Sequence, residues 1–309
     1  MKRIIRVGSR ESKLAMVQTQ WVVNQIKKKH QHLDFEIVGI KTKGDIILDK
    51  MLDKIGGKGL FIKELENALL EKKIDMAVHS MKDMPAEIPA GLKIAAVSYR
   101  EDPRDVLVTV DGRTLEDLDA GAVIGTSSVR REVQLKKIRP DLKFKVLRGN
   151  VLTRLVKLAN REYDAIILAA AGLKRLGLGE KCVQYFTVDE VIPAVGQGIL
   201  GIETRDDGEL DYLLGGFSCE ESMLQLQAER AYMVKLNGGC SVPIAAHAVI
   251  KGDWMKVYGM LATEDKLSIY RACVEGNKNE AESLGLKLAD LILKQMGKNR
   301  SQGGTNEQG

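Results

Sequence analysis

The sequence predicts an α/β chain of two similar lobes facing a cleft, followed by a small α+β domain with an antiparallel sheet. Three observations carry this reading. From Ile4 to Arg175, short β-prone runs alternate with segments of helical period, the pattern of a largely parallel sheet flanked by helices. Two stretches in that span echo each other. Val7-Gly8-Ser9 matches Ile124-Gly125-Thr126, and Asp75-Met76-Ala77-Val78 followed by Lys82 matches Asp164-Ala165-Ile166-Ile167 followed by Lys174. Beyond Cys219 the pattern changes to one helix, three β-rich stretches and a closing helix. A length of 309 residues has room for two or three domains of this kind.

In the first lobe, residues 4–7 form a β-prone run that stops at Gly8-Ser9-Arg10. A helix starts near Ser12, with Leu14, Val17 and Trp21 on its apolar face and Lys27, Lys28 and Lys29 in its last turn. Residues 35–40 alternate as a strand. The glycine-rich stretch 56–59, flanked by Lys54 and Lys58, reads as a flexible loop and a candidate lid. It feeds a helix whose apolar face is Phe61, Leu65, Ala68 and Leu69. Residues 74–78 form a strand that ends in His79-Ser80-Met81-Lys82-Asp83.

The second lobe repeats the theme. Residues 106–110 and 123–124 are strands, the second ending in Gly125-Thr126-Ser127-Ser128, and a helix follows from Val129 to about Ile138. Residues 144–147 form a strand ending in Arg148-Gly149-Asn150, again before a helix. Residues 164–168 are a buried strand ending in a loop before Gly172-Leu173-Lys174-Arg175. In the last domain a helix spans about 221–236, strands span 242–250, 254–262 and 267–274, and a helix runs to about Gln295. The polar, glycine-rich residues 298–309 are expected to be disordered.

Composition excludes several classes. The net charge of +5 is mild, and aromatics, at 5%, are not interleaved with the basic residues, so nucleic acid is not the expected partner. The longest apolar run, residues 165–173, is about half the roughly 20 residues of a membrane span. The basic start has no continuous apolar stretch of signal-peptide length, so a soluble, cytoplasmic protein is expected. The four cysteines (Cys182, Cys219, Cys240, Cys273) show no CxxC pairing, and the four histidines form no HExxH, so neither a zinc site nor any other metal is expected.

Arginine placement points to the ligand. Arg10, Arg130, Arg131, Arg148, Arg154 and Arg175 stand at or just past strand ends, beside Gly, Ser or Thr. Guanidinium forks pair carboxylates or phosphates bidentately, and Ser9, Ser12, Thr126, Ser127 and Ser128 add hydroxyl and helix-terminal donors. The plainer reading of any one arginine is capping or surface charge. Asp83 follows a lysine just past a buried strand, with Pro85 behind it. A carboxylate in an arginine-lined cleft is suited to stabilise a cation or shuttle a proton; its plainer roles are a helix N-cap or an ion pair with Lys82. Cys240, in Asn237-Gly238-Gly239-Cys240-Ser241-Val242-Pro243, sits in a sharply shaped loop that fits a reactive thiol, with a structural cysteine as the equally open plainer reading. The other three cysteines read as structural, His79 as a satisfied structural histidine, and Met76, Met81 and Met84 as packing.

These motifs resemble the porphobilinogen deaminase (hydroxymethylbilane synthase) family. The matching stretches are GSRESKLA (8–15), GGKGLFIKELE (56–66), AVHSMKDMP (77–85), IGTSSVRR (124–131), LRGNVLTRL (147–155), AAAGLKRLG (169–177), PAVGQGILGIE (193–203) and NGGCSVPIAAH (237–247). The resemblance covers the chain from residue 4 to about 250 and fades beyond. Ile199 stands where the family commonly has a smaller residue, and Ala86 where a hydroxyl is frequent.

The resemblance implies two lobes like the type II periplasmic binding proteins and a C-terminal α+β domain with a three-stranded sheet. The first lobe takes residues 1–99 with a return segment at 195–217, the second 103–192, and the cofactor-carrying domain 219–297, before the tail at 298–309. It implies a transferase of tetrapyrrole (haem) biosynthesis that joins four porphobilinogens head to tail, losing ammonia each time, to give linear hydroxymethylbilane. The chain grows on a dipyrromethane cofactor, thioether-linked to a cysteine that falls on Cys240, and the catalytic aspartate falls on Asp83. Lys82, Arg130, Arg131, Ser128, Thr126 and Ser80 fall at cofactor-binding positions; Arg10, Ser12, Gln18, Arg148, Arg154, Arg175 and Gln197 fall at substrate-binding ones. A monomer is implied, with the product passing to uroporphyrinogen-III synthase. Each porphobilinogen carries an acetate and a propionate, which accounts for the arginines, and loss of ammonia leaves an azafulvene-like cation for Asp83 to stabilise. The alternative is a non-catalytic two-lobed binding protein for an anionic metabolite.

Overall fold

The computed structural model describes residues 4–42, 62–236, 243–263 and 265–303. The loop at 56–59, Phe61 and the Cys240 loop, all singled out above, lie outside the described residues, as do residues 304–309. The first lobe opens with β1 (Ile4–Arg10), α1 (Lys13–Lys29), β2 (Asp34–Ile40), α2 (Lys63–Leu70), β3 (Met76–Ser80) and β4 (Leu92–Val97). After a crossing come β5 (Asp105–Thr109), β6 (Val123–Gly125), α3 (Val129–Ile138) and β7 (Lys143–Lys145). The second lobe continues with α4 (Val151–Ala159), β8 (Ala165–Ala169), α5 (Ala170–Arg175) and β9 (Gln184–Tyr185). The chain then crosses back to add β10 (Leu200–Arg205) and α6 (Asp211–Leu214) to the first lobe.

The two sheets share one topology, β2-β1-β3-β10-β4 and β7-β6-β8-β5-β9. In each, the fourth strand is the one that enters after a crossing, and it runs antiparallel to both neighbours. This is the two-lobed type II arrangement. The expectation of largely parallel sheets is corrected: both sheets are mixed, and patterning alone gave no sign of β4, β9 or β10. The return of residues 195–203 to the first lobe, implied by the family resemblance, is what β10 does. An antiparallel strand starts where its parallel neighbours finish, so Asp105 pairs with Ala169 and Leu200 with Ser80. Both crossings thereby open onto the cleft.

The sequence echo is a structural equivalence. β1 and β6 hold the second place in their sheets, and β3 and β8 the third. The Asp75 carboxylate accepts from the Arg6 amide at 2.7 Å, and the Asp164 carboxylate from the Val123 amide at 2.7 Å. A side chain at Gly8 would overlap Ile74, and one at Gly125 would overlap Tyr163. The further match of Lys82 with Lys174 does not hold. With the aspartates in register Lys82 matches Ala171, and Lys174 pairs with Asp102 at 2.9 Å.

Several elements differ from their sequence reading. β1 continues through Ser9 and Arg10 because β2 pairs it to the end, and β3 likewise reaches Ser80. The loop expected after β8 is absent, since α5 begins at once. Helix α1 buries Gln18, Thr19, Val22, Val23 and Ile26 instead of the Leu14, Val17 and Trp21 stripe. Its first turns overhang the cleft, and Trp21 packs edge-on to Tyr99 and Phe217 at 5.5 and 6.2 Å. Cys182 is half-buried and packs against the second-lobe core, Cys219 is half-buried, and Cys273 is exposed, against its structural reading.

The third domain lays α7 (Glu220–Lys235) and α8 (Ala281–Gly303) on an antiparallel sheet of β11 (Ile244–Lys251), β12 (Trp254–Ala262) and β13 (Ile269–Asn277). Tyr232, Met255, Val257, Leu284 and Leu288 are among its buried core. Helix α8 extends to Gly303, so residues 298–303 are helical where disorder was expected. No helix among the described residues is long and apolar enough to cross a membrane.

The crossings run side by side and are pinned from the third domain. The Glu101 amide donates to the Gly198 carbonyl at 3.0 Å. Gly198 sits at φ +92°, and any Cβ there would overlap the Glu101 carbonyl oxygen, so only glycine fits. Glu229 of α7, fully buried, accepts from Arg100 Nη1 and Nη2 at 2.7 and 2.9 Å, and from the amides of Gly196 and Ala248 at 2.7 and 2.8 Å. Burial works to raise its carboxyl, but Arg100 and His247 outweigh that and hold it down at about 2. Glu229→Ala would leave Arg100 buried and unpaired, at a cost of about 3–5 kcal/mol in chemical denaturation. Because the folded-state value is depressed, this stability is present above pH 4.5 and is lost as pH falls toward 2. The variant should lack that part of the acid dependence, and an unchanged denaturation midpoint would contradict the pinning role.

Candidate active site

A cleft of about 660 Å³, counting its open mouth, is lined by Arg10, Ser12 and Gln18 from β1 and α1, by Ser80 at the end of β3 with Lys82 and Asp83 just beyond it, and by Arg175 and Gln197. Ser12 also caps α1, its hydroxyl accepting from the Ala15 amide at 3.3 Å, so the helix N-terminus points at the same space.

The Asp83 turn follows from its sequence. Met81 and Met84 are buried, in one cluster with Ile62, Val97, Ile199 and Leu226. Lys82 and Asp83 lie between them in a single 3-10 turn (Met81–Asp83) and must therefore face outward, into the cleft. Ile199, fully buried, contributes packing to this cluster. Neither plain reading of Asp83 holds among the described residues. It is the last residue of the turn, not its cap, and its carboxylate makes no hydrogen bond or ion pair. His79, by contrast, is satisfied as expected, 2.9 Å from the buried Glu203 carboxylate.

Lys82 is open to the cleft, yet the walls around it displace bulk water. That desolvation pushes its ammonium down to about 8, against the opposing pull of Asp83. Arg130 and Arg131, both buried, share one buried carboxylate, Asp105, each at 2.7 Å. Arg130 also donates to the Ile192 carbonyl at 2.7 Å, and Arg131 to the Ile167 carbonyl at 2.9 Å. Burial works to raise the Asp105 carboxyl, but the two guanidinium groups outweigh it and hold it well below the usual carboxylate range. Gln197 is tied to the same carboxylate at 2.9 Å and to the Pro103 carbonyl at 2.6 Å. Arg154, within electrostatic reach of Arg131 and Asp83, is pushed down to about 10 by burial, as is Arg175. Lys82, Arg130, Arg131 and Arg154 stand against Asp83 and Asp105 in this coupled group, a net charge of +2.

Of the candidates on the second lobe, Arg175 lines the cleft and Thr126, Ser127, Ser128, Arg148 and Arg154 do not. Thr126 is buried at the end of β6, its hydroxyl accepting from the Ser128 amide at 3.1 Å. Ser128 precedes α3 with no cap bond from its side chain. Ser127 is committed to the Leu147 carbonyl at 2.6 Å. Arg148 is half-buried before α4. Arg154 Nε is held by the Gly149 carbonyl at 2.8 Å, and Arg175 by the Gly198 carbonyl at 2.6 Å. Asp105 escaped sequence reading because it looks like the polar start of a strand; the antiparallel course of β5 brings it beneath Arg130, Arg131 and Gln197.

Two family models match the chain, described as "Porphobilinogen deaminase, dipyromethane cofactor binding domain" over residues 5–211 and "Porphobilinogen deaminase, C-terminal domain" over 223–294. The chain belongs to the porphobilinogen deaminase family. Porphobilinogen deaminase from Lysinibacillus sphaericus (strain C3-41) is 50% identical over 297 residues, 96% of this chain and 95% of the relative. That from Bacillus subtilis (strain 168) is 50% identical over 295 residues, 94% and 93% of the two chains. Among solved structures, a putative methionine-binding lipoprotein from Bacillus subtilis superposes with a TM-score of 0.43 and 15% identity, covering 71% of this chain and 92% of its own. In a porphobilinogen deaminase the cationic floor meets an acidic substrate.

If the Lys82 ammonium pairs with a ligand carboxylate, the charge it supplies is lost as pH rises through about 8, the value to which desolvation lowers it. Anion binding should therefore weaken as pH rises through that value, giving kcat/KM an alkaline limb. In Lys82→Arg the limb should move upward, because a guanidinium stays charged. An unchanged limb in a pH–rate series would assign it to another group.

Proposed function

We propose that this cleft carries out the deaminating, head-to-tail condensation of porphobilinogen, with Asp83 as the carboxylate at the reacting centre. The observation that carries the proposal is a carboxylate left without hydrogen bonds among the described residues, in a cleft whose other coupled charges sum to an excess of cations. The enzyme is a transferase that joins four porphobilinogens with loss of ammonia to give linear hydroxymethylbilane, on a dipyrromethane cofactor. Its relatives are curated as enzymes, which favours this reading over a non-catalytic binding protein.

The residues present fit that cofactor: its carboxylates would meet a floor of net positive charge. Arg130, Arg131, Lys82, Thr126, Ser128 and Ser80 would hold it, with Cys240 as the covalent anchor. When bound, the dipyrromethane supplies the fixed pyrrole end from which the product grows. Arg10, Arg148, Arg154 and Arg175, with Ser12, Gln18 and Gln197, would bind the substrate's acetate and propionate. Such bonds to charged groups contribute about 1.5–3 kcal/mol each.

Ammonia leaves porphobilinogen with the electron pair of its carbon–nitrogen bond, and a cation spreads over the ring. The Asp83 carboxylate faces that charge in a cleft whose walls limit screening, where one fixed opposite charge is most effective. Lys82 and Arg154 stand within electrostatic reach of Asp83. The same reading divides the chain at 1–99 with 195–217, 103–192 and 219–297. It makes the protein a cytoplasmic monomer that hands its product to uroporphyrinogen-III synthase, a part that rests on the family resemblance.

Asp83→Asn keeps the shape and removes the charge. Porphobilinogen consumption should fall by about 10²–10³-fold while the protein folds normally and keeps its cofactor mass. Near-normal turnover would take Asp83 out of the reacting centre.

A further inference from the structure

Asp83 has no hydrogen bond of its own to fix it among the described residues, so the chain on either side must set its position. On one side the Met81 amide donates to the Ile199 carbonyl at 3.0 Å. On the other, Arg230 of α7 donates from Nη2 to the carbonyl oxygens of Pro85 and Ala86, at 2.9 and 2.6 Å. Arg230 is half-buried, its Nη1 is buried without a partner, and no carboxylate among the described residues pairs with it. Burial alone pushes its guanidinium down. Withdrawing a cation from water without a counter-ion is unfavourable, and a neutral side chain would fill the space more cheaply. The two carbonyls just past Asp83 are the bonded partners it gains.

One turn earlier on the same helix, Leu226 packs in the cluster that holds Met81 and Met84. Helix α7 therefore touches the Asp83 turn through its buried methionines and grips the chain that leaves it. The Ala86 side chain plays no part in this grip, since the main-chain oxygen is the acceptor.

We propose that Arg230 is a positioning residue for Asp83, holding the turn from behind so that the carboxylate faces the cleft. This rests on the assignment of Asp83 to the reacting centre. The third domain then does more than carry the anchoring cysteine: the helix that leads toward Cys240 also sets the aim of the carboxylate.

The test is a double-mutant cycle on the cofactor-loaded enzyme, with Arg230→Gln, Arg230→Lys, Asp83→Asn and the Asp83→Asn/Arg230→Gln pair. Arg230→Gln should lower kcat about tenfold or more, with KM for porphobilinogen within about twofold and the cofactor mass retained, as expected for a misplaced catalytic group. Arg230→Lys should recover part of kcat, since an ammonium still donates to carbonyls. In the Asp83→Asn background, Arg230→Gln should cost nothing further. Full kcat in Arg230→Gln, or multiplicative losses in the pair, would overturn the proposal while Asp83→Asn stays inactive. Turnover retained in Asp83→Asn would instead overturn the Asp83 assignment. Should Arg230→Gln fail to accumulate folded, Arg230→Lys decides, with wild-type kcat as the contrary result.

Discussion

The site depends on one buried carboxylate that two adjacent guanidinium groups share. Asp105 takes Arg130 and Arg131 out of water together, which neither arginine could survive alone at this depth. One negative charge under two positive ones leaves a net positive charge at this point of the structure. Sharing also fixes both planar forks in place before any ligand arrives, the preorganisation that binding of a multiply charged anion needs. Gln197 joins the same carboxylate from the returning crossing, so the arginines of the second lobe are held against the backbone path that leads to the first.

Glu229 does the corresponding work for the third domain. It gathers Arg100 on the outgoing crossing, Gly196 on the returning one and Ala248 of its own sheet around a single carboxylate. The domain also packs against α3, where Val133 and Ile192 meet Ala245, Met260 and Ala262, and Lys266 pairs with Glu132 at 3.0 Å. The helix that carries Arg130 and Arg131 thus also packs on the third domain. The two sheets and the C-terminal α+β unit meet around the crossings through contacts that are buried, directional and charged.

Much of this was legible in the sequence. Strand and helix alternation, the Gly8/Gly125 and Asp75/Asp164 echo and the Asp83 turn between two buried methionines follow from local pattern. The arginines beyond strand ends were placed by the same logic. What pattern could not give is strand direction. Reading the sheets as parallel hid Asp105 and the entry of β10, because a polar residue at the head of a strand marks the cleft only when that strand runs backwards. The buried pairings of Glu229 and Arg230 join residues more than a hundred positions apart, and no local period encodes them. Cys240 stands on sequence alone, outside the described residues.

The central claim is that four porphobilinogens are joined on a chain anchored at Cys240 within this cationic cleft. Intact-mass analysis of freshly purified, active protein, followed by a brief pulse of porphobilinogen and peptide mapping, tests it most directly. The account expects a mass above that of the sequence by one dipyrromethane, an adduct on the peptide spanning residues 238–243, and a ladder of species each heavier by one pyrrole unit. Active protein at its bare sequence mass, or an adduct on Cys182, Cys219 or Cys273, would contradict it.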